Sequence, residues 1–129
     1  MRSILMPAAE QSRATARARK RWRDARAFQA DVQLQLARER VPFAMWLLLE
    51  TLQELLDETG DAVSQNALAE RTGLTRQVTS YWMILMSEEG LIDRGPHPNI
   101  AAWRVILTEL GERTLAACNQ RLEAAGLTG

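Results

Sequence analysis

The stretch Val63–Ile92, VSQNALAERTGLTRQVTSYWMILMSEEGLI, decides how the rest of the chain is read. It spells two short helices joined by a tight turn. Ser64 can cap the first helix, and Leu68 and Ala69 supply its buried side. Gly73 stands at the turn, where a positive φ costs little for a residue without Cβ. Thr75 can then cap a second helix running to about Glu89, and Gly90 stops it. This is the pattern of a helix-turn-helix, whose second helix offers its first turns to the DNA major groove. An αα-hairpin in an unrelated helical bundle is the plainer reading of the same residues.

On the second helix Val78, Trp82, Leu85 and Met86 can face inward, with Met83 on the flank. Arg76, Gln77, Ser80 and Tyr81 are then left outside on the first turns. That set suits groove reading, because Arg can take guanine bidentately and Gln can take adenine. It equally suits plain solvent exposure. Downstream, Leu91-Ile92-Asp93-Arg94 and Ile100–Leu107 are β-prone runs around the turn Gly95-Pro96-His97-Pro98-Asn99. Such a pair is a hairpin signal, and a hairpin directly behind a helix-turn-helix is a wing. Its tip would carry His97 and Asn99, and its arms Arg94 and Arg104. Thr108 then caps a last helix to about Ala125, with Leu110, Leu115, Cys118 and Leu122 as its apolar set and Gly126 at its end.

Upstream, Pro42 to about Thr59 is apolar on nearly every face, which marks it as the central helix of the core. Asp61-Ala62-Val63 can form a very short strand. From about Glu10 to Arg40 one long helix is predicted, with an apolar stripe of Ala14, Ala18, Trp22, Ala25, Phe28, Val32 and Leu36. Its other sides carry Arg13, Arg17, Arg19, Lys20, Arg21, Arg23 and Arg26, offset there only by Asp24. A helix of about 30 residues spans roughly 45 Å, more than so small a body can cover. The stripe therefore wants a partner, most simply a second copy of the chain. The basic end either contacts phosphates or is a solvated surface. Residues 1–9 show no periodicity and, with Pro7, read as a flexible leader.

At 129 residues the chain is one domain, and 47% apolar with 25% charged residues is an ordinary globular composition. Its zero net charge hides a split: residues 1–40 hold 10 Arg/Lys against 4 Asp/Glu, and the remainder 6 against 12. A basic segment that meets something acidic is implied. The single cysteine, Cys118, excludes an internal disulfide, and no apolar run reaches membrane-spanning length. A cytoplasmic location follows by elimination. One histidine and one cysteine leave little material for a metal site, and no cofactor signature is present.

With the wing in place, the chain resembles the MarR family of bacterial winged-helix transcription regulators. SQNALAERTGLTRQVTS resembles the family's helix-turn-helix, SEEGLIDR its helix end and first wing strand, and VILTELGERTL its second wing strand and final helix. The Leu-Thr-x-x-Gly step at Leu107–Gly111 is the most specific, and it accounts for a glycine that helix propensity would disfavour. The likeness runs from about residue 42 to 125. It implies a mainly α fold with a small β wing, a winged helix-turn-helix with long N- and C-terminal dimerisation helices. Residues 10–129 would form the single domain, with 10–40 and 108–125 pairing two copies and 61–107 binding DNA. The family implies a homodimeric repressor on a palindromic double-stranded operator, with each wing at a minor groove. It also implies release by a small, often phenolic, effector, for which Phe43, Trp46 and Trp22 are candidate contacts. Carried over by position, it places Thr75, Arg76, Gln77, Ser80 and Tyr81 on the DNA and Ser64 at a phosphate.

The chain departs from the pattern at several points. The family's wing Asp-x-Arg falls on Asn99 and Ala101, so Arg94 or Arg104 would do part of that work. Tyr81 stands where Arg is frequent, and Thr79 where a buried aliphatic residue is usual. The first helix is more basic than the family's, and Arg13, Arg17 and Arg21 would supply the DNA backbone with cations that this wing lacks. A second reading stays open: a DNA-organising or protein-interaction module that uses the basic helix nonspecifically. No phosphate loop, nucleophile elbow or histidine pair points to an enzyme. Glu88-Glu89 reads as a solvated helix end, and Cys118 as either inert packing or a redox switch.

Overall fold

The structure is a computed structural model that describes residues 7–96 and 103–128. Among these it contains helices α1 (Ala8–Ala37), α2 (Phe43–Thr59), α3 (Gln65–Thr72), α4 (Arg76–Glu88) and α5 (Glu109–Ala124). Three short strands, β1 (Val63–Ser64), β2 (Ile92–Pro96) and β3 (Trp103–Leu107), form an antiparallel sheet in the order β1-β3-β2. Among the described residues no helix is long and apolar enough to cross a membrane. The fold is the winged helix-turn-helix that the caps and glycines predicted.

The core is built around α2. Leu48, Leu49 and Leu52 are fully buried there, and Val32 and Leu36 of α1, Leu68 of α3, Met83 and Met86 of α4, Ile92 and Val105 of the sheet, and Cys118 and Leu122 of α5 close over them. Each such aliphatic side chain contributes about 1.5–3 kcal/mol of burial, so α2 is the element that the others need in order to fold. Its ends follow from the sequence: Pro42 is the N-cap and Gly60, at φ +69°, the left-handed C-cap.

Five boundaries and faces differ from expectation. Helix α1 begins at Ala8, because Pro7 with its fixed φ is a good residue just ahead of a first turn; residues 1–6 of the expected leader lie outside the described residues. It ends at Ala37, where Arg40 turns left-handed at φ +57° and the Val41 N–H returns to the Leu36 carbonyl. The short strand is Val63–Ser64, beginning two residues and ending one residue later than expected, because Val63 and Ser64 pair with Val105 and Arg104.

The larger correction is in α4, whose buried line is Thr79, Met83 and Met86 rather than Val78, Trp82, Leu85 and Met86. Thr79 can be buried because its hydroxyl donates to the Thr75 carbonyl at 2.8 Å, which leaves no unsatisfied polar atom. The helix is thereby turned by one residue. Leu110, expected in the apolar set of α5, is exposed, since the inner line of that helix is Gly111, Leu115, Cys118 and Leu122.

Gly111 explains itself in this packing. A Cβ placed on it would lie 2.0 Å from the Leu91 carbonyl oxygen and 3.2 Å from a methyl of Leu107. Gly111→Ala should lower the stability by about 2 kcal/mol or more in urea titrations. Gly95→Ala, where a Cβ meets nothing within 4 Å, is the matched control and should stay within about 0.5 kcal/mol. Equal losses at both positions would sink the packing argument.

Candidate nucleic-acid interface

Two hydroxyl caps hold the helix pair in place. Ser64 Oγ accepts from the Ala67 N–H at 3.1 Å, and Thr75 Oγ1 accepts from the Val78 N–H at 3.1 Å. Between the helices Gly73 takes φ +77°. Helix α3 is tied to α2 by the Arg71 guanidinium, which meets Glu54 at 2.6 Å and Glu58 at 2.9 and 3.1 Å. The hydrogen bonds to Glu58, then Glu54, raise the pKa of Arg71 further, and the bond from Arg71 lowers that of Glu58. These groups are exposed, so the network fixes orientation more than it adds stability.

On α4 the expected outer residues are outside. Arg76 and Gln77 are exposed, Tyr81 is 58% exposed, and Ser80 is half-buried. Tyr81 stacks edge-on against Trp82, with ring centroids 5.4 Å apart at 82°, which fixes the ring instead of leaving it free. Arg76 stands seven residues ahead of buried Met83 and so lies on the flank of the helix, nearer the body than Gln77 does. Thr75 and Ser64 spend their hydroxyls on capping, and Ser64 is half-buried. Val78, expected inside, joins the outer side.

In the wing Arg94 pairs across from Val105 and Gly95 from Arg104, so the two arginines point to opposite faces of the sheet. Ser64 faces Arg104 from the other edge. Arg94 lies with its guanidinium carbon 4.9 Å from the centre of the Trp103 ring, a stack that orients the cation. Trp103 was missed by sequence reasoning. The signal available was its place one diagonal step from Arg94 in the hairpin, which needs the register to be seen. His97 and Asn99 lie outside the described residues, as does Ala101.

Arg13, Arg17 and Arg21 are exposed on a different element. From Ala8 to Phe28 every residue of α1 is exposed except half-buried Ala14. Lys20 pairs with Asp24 at 2.8 Å, and Arg26 lies over Trp22 at 5.7 Å. The three candidate effector contacts are not brought together in one cavity. Trp22 is 65% exposed. Trp46 packs against the core with its indole N–H donating to Asn119 Oδ1 at 2.9 Å. Phe43 alone borders an open hollow of about 450 Å³, with Gln33, Ala37, Arg40, Val41 and Pro42.

No protein-family model and no curated protein matches the chain. Solved structures do. A MarR family transcription regulator superposes with a TM-score of 0.74 at 24% identity, over 91% of this chain and 75% of its own. Reduced AbfR bound to DNA gives 0.78 at 15% identity, over 92% and 80%. A cysteine-to-serine mutant of MarR from E. coli, complexed with operator DNA, gives 0.74 at 16% identity, over 86% and 79%. At these identities the likeness establishes the fold, the MarR-type winged helix, over most of the chain.

Cys118 sits inside the core with no exposed surface. Burial, and then the Glu39 charge, push its thiol up from 9.0 to about 11, with Arg121 pulling weakly the other way. A thiol so shielded packs as a small apolar group and is a poor nucleophile while the core stays closed. At pH 8 its thiolate fraction should be roughly a hundredfold below that of the unfolded chain, so iodoacetamide should label the native protein slowly and the urea-unfolded chain fast. Because the folded pKa is raised, the thiol's stabilising contribution is complete below pH 9 and is lost as the pH climbs toward about 11. Rapid native labelling at pH 8 would contradict the burial.

Proposed function

We propose that this chain, which carries the winged-helix fold seen in MarR family regulators, is a sequence-specific DNA-binding transcription regulator that acts as a homodimer on a palindromic operator. The observation that carries the reading is the outer side of α4. Gln77 and Tyr81 stand clear of the body there, on a helix whose start is held by Thr75 and whose orientation is fixed by α2 and the sheet. Two of the similar structures contain DNA. In this reading Gln77 and Tyr81 face base edges, Arg76 and Ser80 flank them, Thr75 and Ser64 set the helix starts beside the backbone, and Arg94 and Arg104 serve the wing.

Residues 10–40 and 108–125 would pair two copies, leaving 61–107 to the DNA. The support is α1 itself, whose Trp22 and Phe28 are 65% and 48% exposed along the apolar stripe. The hollow beside Phe43 is the candidate seat for a small effector that releases the DNA. A cytoplasmic location accords with this role. A second reading, nonspecific backbone binding, is favoured by one observation: the seven cations Arg13 to Arg26 on the free half of α1.

Fluorescence anisotropy against the chain's own upstream DNA and a scrambled duplex of equal length, at physiological salt, separates the two. A preference of about a thousandfold or more supports a specific regulator, and equal affinity supports the nonspecific reading. Gln77→Ala should cost about 1–3 kcal/mol on the preferred duplex and little on the scrambled one. Arg17→Glu should weaken both alike and flatten the salt slope by about one unit or more. For the dimer, Phe28→Glu should shift the sedimentation coefficient to that of a monomer; an unchanged dimer would place the pairing surface elsewhere.

A further inference from the structure

The rotation of α4 puts an apolar strip where the sequence suggested polar residues. Tyr81 is two residues from both Thr79 and Met83, so it points about 160° away from each and lies on the crest of the helix. Val78 and Ile84, 41% and 47% exposed, stand three residues to either side, about 60° off the crest, and Gln77 about 40° off it. From Thr75 to Ser87 the helix carries Arg76 and no carboxylate; Glu88 and Glu89 mark where this face ends. A crest without negative charge, flanked by Arg76, complements a polyanion.

In the major groove the apolar group on a base edge is the thymine C5-methyl, while guanine offers two acceptors that call for a cation. Arg76 lies on the flank, and no cation stands on the crest. We propose that Val78 and Tyr81 read thymine methyl groups beside an adenine edge taken by Gln77, so that the DNA selected by this helix is A·T where the crest meets it. Arg76 then reaches the sugar–phosphate backbone. The inference rests on the regulator reading above and adds the base specificity of that site.

Duplexes selected by the purified protein from a library with a randomised central segment supply the probe. Each thymine of the selected sequence is then replaced singly by deoxyuridine, which removes the methyl and keeps every hydrogen-bonding group. Wild-type protein should lose affinity roughly three- to tenfold at one or two thymines per half-site, as expected for one apolar methyl leaving a contact. Val78→Ala and Tyr81→Ala, both at exposed positions, should bind the selected duplex more weakly and lose the methyl preference at one of those thymines each. If wild type binds every deoxyuridine duplex as tightly as the parent, or if both variants keep the full preference, the inference is overturned while specific binding stands. A library that enriches no sequence would overturn the regulator reading and this inference together.

Discussion

Leu91 is the residue on which the arrangement of α4, the wing and α5 depends. Its N–H closes α4 by donating to the Met86 carbonyl at 2.9 Å, with Gly90 left-handed just before it. Its own carbonyl accepts from the Thr108 N–H at 3.1 Å, at the point where α5 begins. Thr108 adds a bond from its hydroxyl to the Gly90 carbonyl at 2.6 Å while accepting from the Gly111 N–H at 3.0 Å. This knot works only if α5 can approach to backbone contact, and the missing side chain of Gly111 is what permits it. One short segment thus ends the helix that faces outward, opens the wing and starts the last helix.

A second set of polar ties crosses between helices far apart in sequence. Asn119 of α5 accepts from the Trp46 indole and donates to Glu50 at 2.9 Å, bridging to α2. Arg121 meets Glu39 at 2.5 Å, fastening α5 to the turn after α1. These bonds satisfy the polar ends of half-buried side chains, which explains how Trp46 can belong to the packed body without an orphaned N–H. They also show why an aromatic pair in the sequence is a poor guide to a ligand cavity. Phe43 and Trp46 have ring centres 5.7 Å apart, yet only Phe43 reaches the hollow.

The helix-turn-helix was legible because its information is local. Ser64, Gly73, Thr75 and Gly90 each act within a few residues of themselves, as Thr108 does in capping α5, and all five perform the roles their chemistry suggests. The face of α4 was not legible. Residues 78, 82, 85 and 86 and residues 79, 83 and 86 both satisfy helical spacing, and Thr79 looks polar until its hydroxyl is seen bonded within its own helix. Trp103 was hidden for a different reason, since its partner Arg94 is set by strand register rather than by sequence distance. The departures expected of the wing tip fall among residues 97–102, outside those described.

The joint at Arg40 carries a consequence of leverage. A left-handed residue after a helix is usually glycine, and an arginine there narrows the conformations open to the chain. The flanking bonds, from the Arg40 N–H to Ala37 and from the Val41 N–H to Leu36, leave little angular play. Helix α1 extends about 45 Å from that joint. A tilt of about 10° there would sweep its far end through roughly 8 Å, more than two base-pair rises of 3.4 Å. Whatever meets the N-terminal half of α1 therefore meets it at a position set by this turn together with the packing of Val32 and Leu36 just before it, and the spacing of any symmetric assembly built on this helix would be read out from that joint.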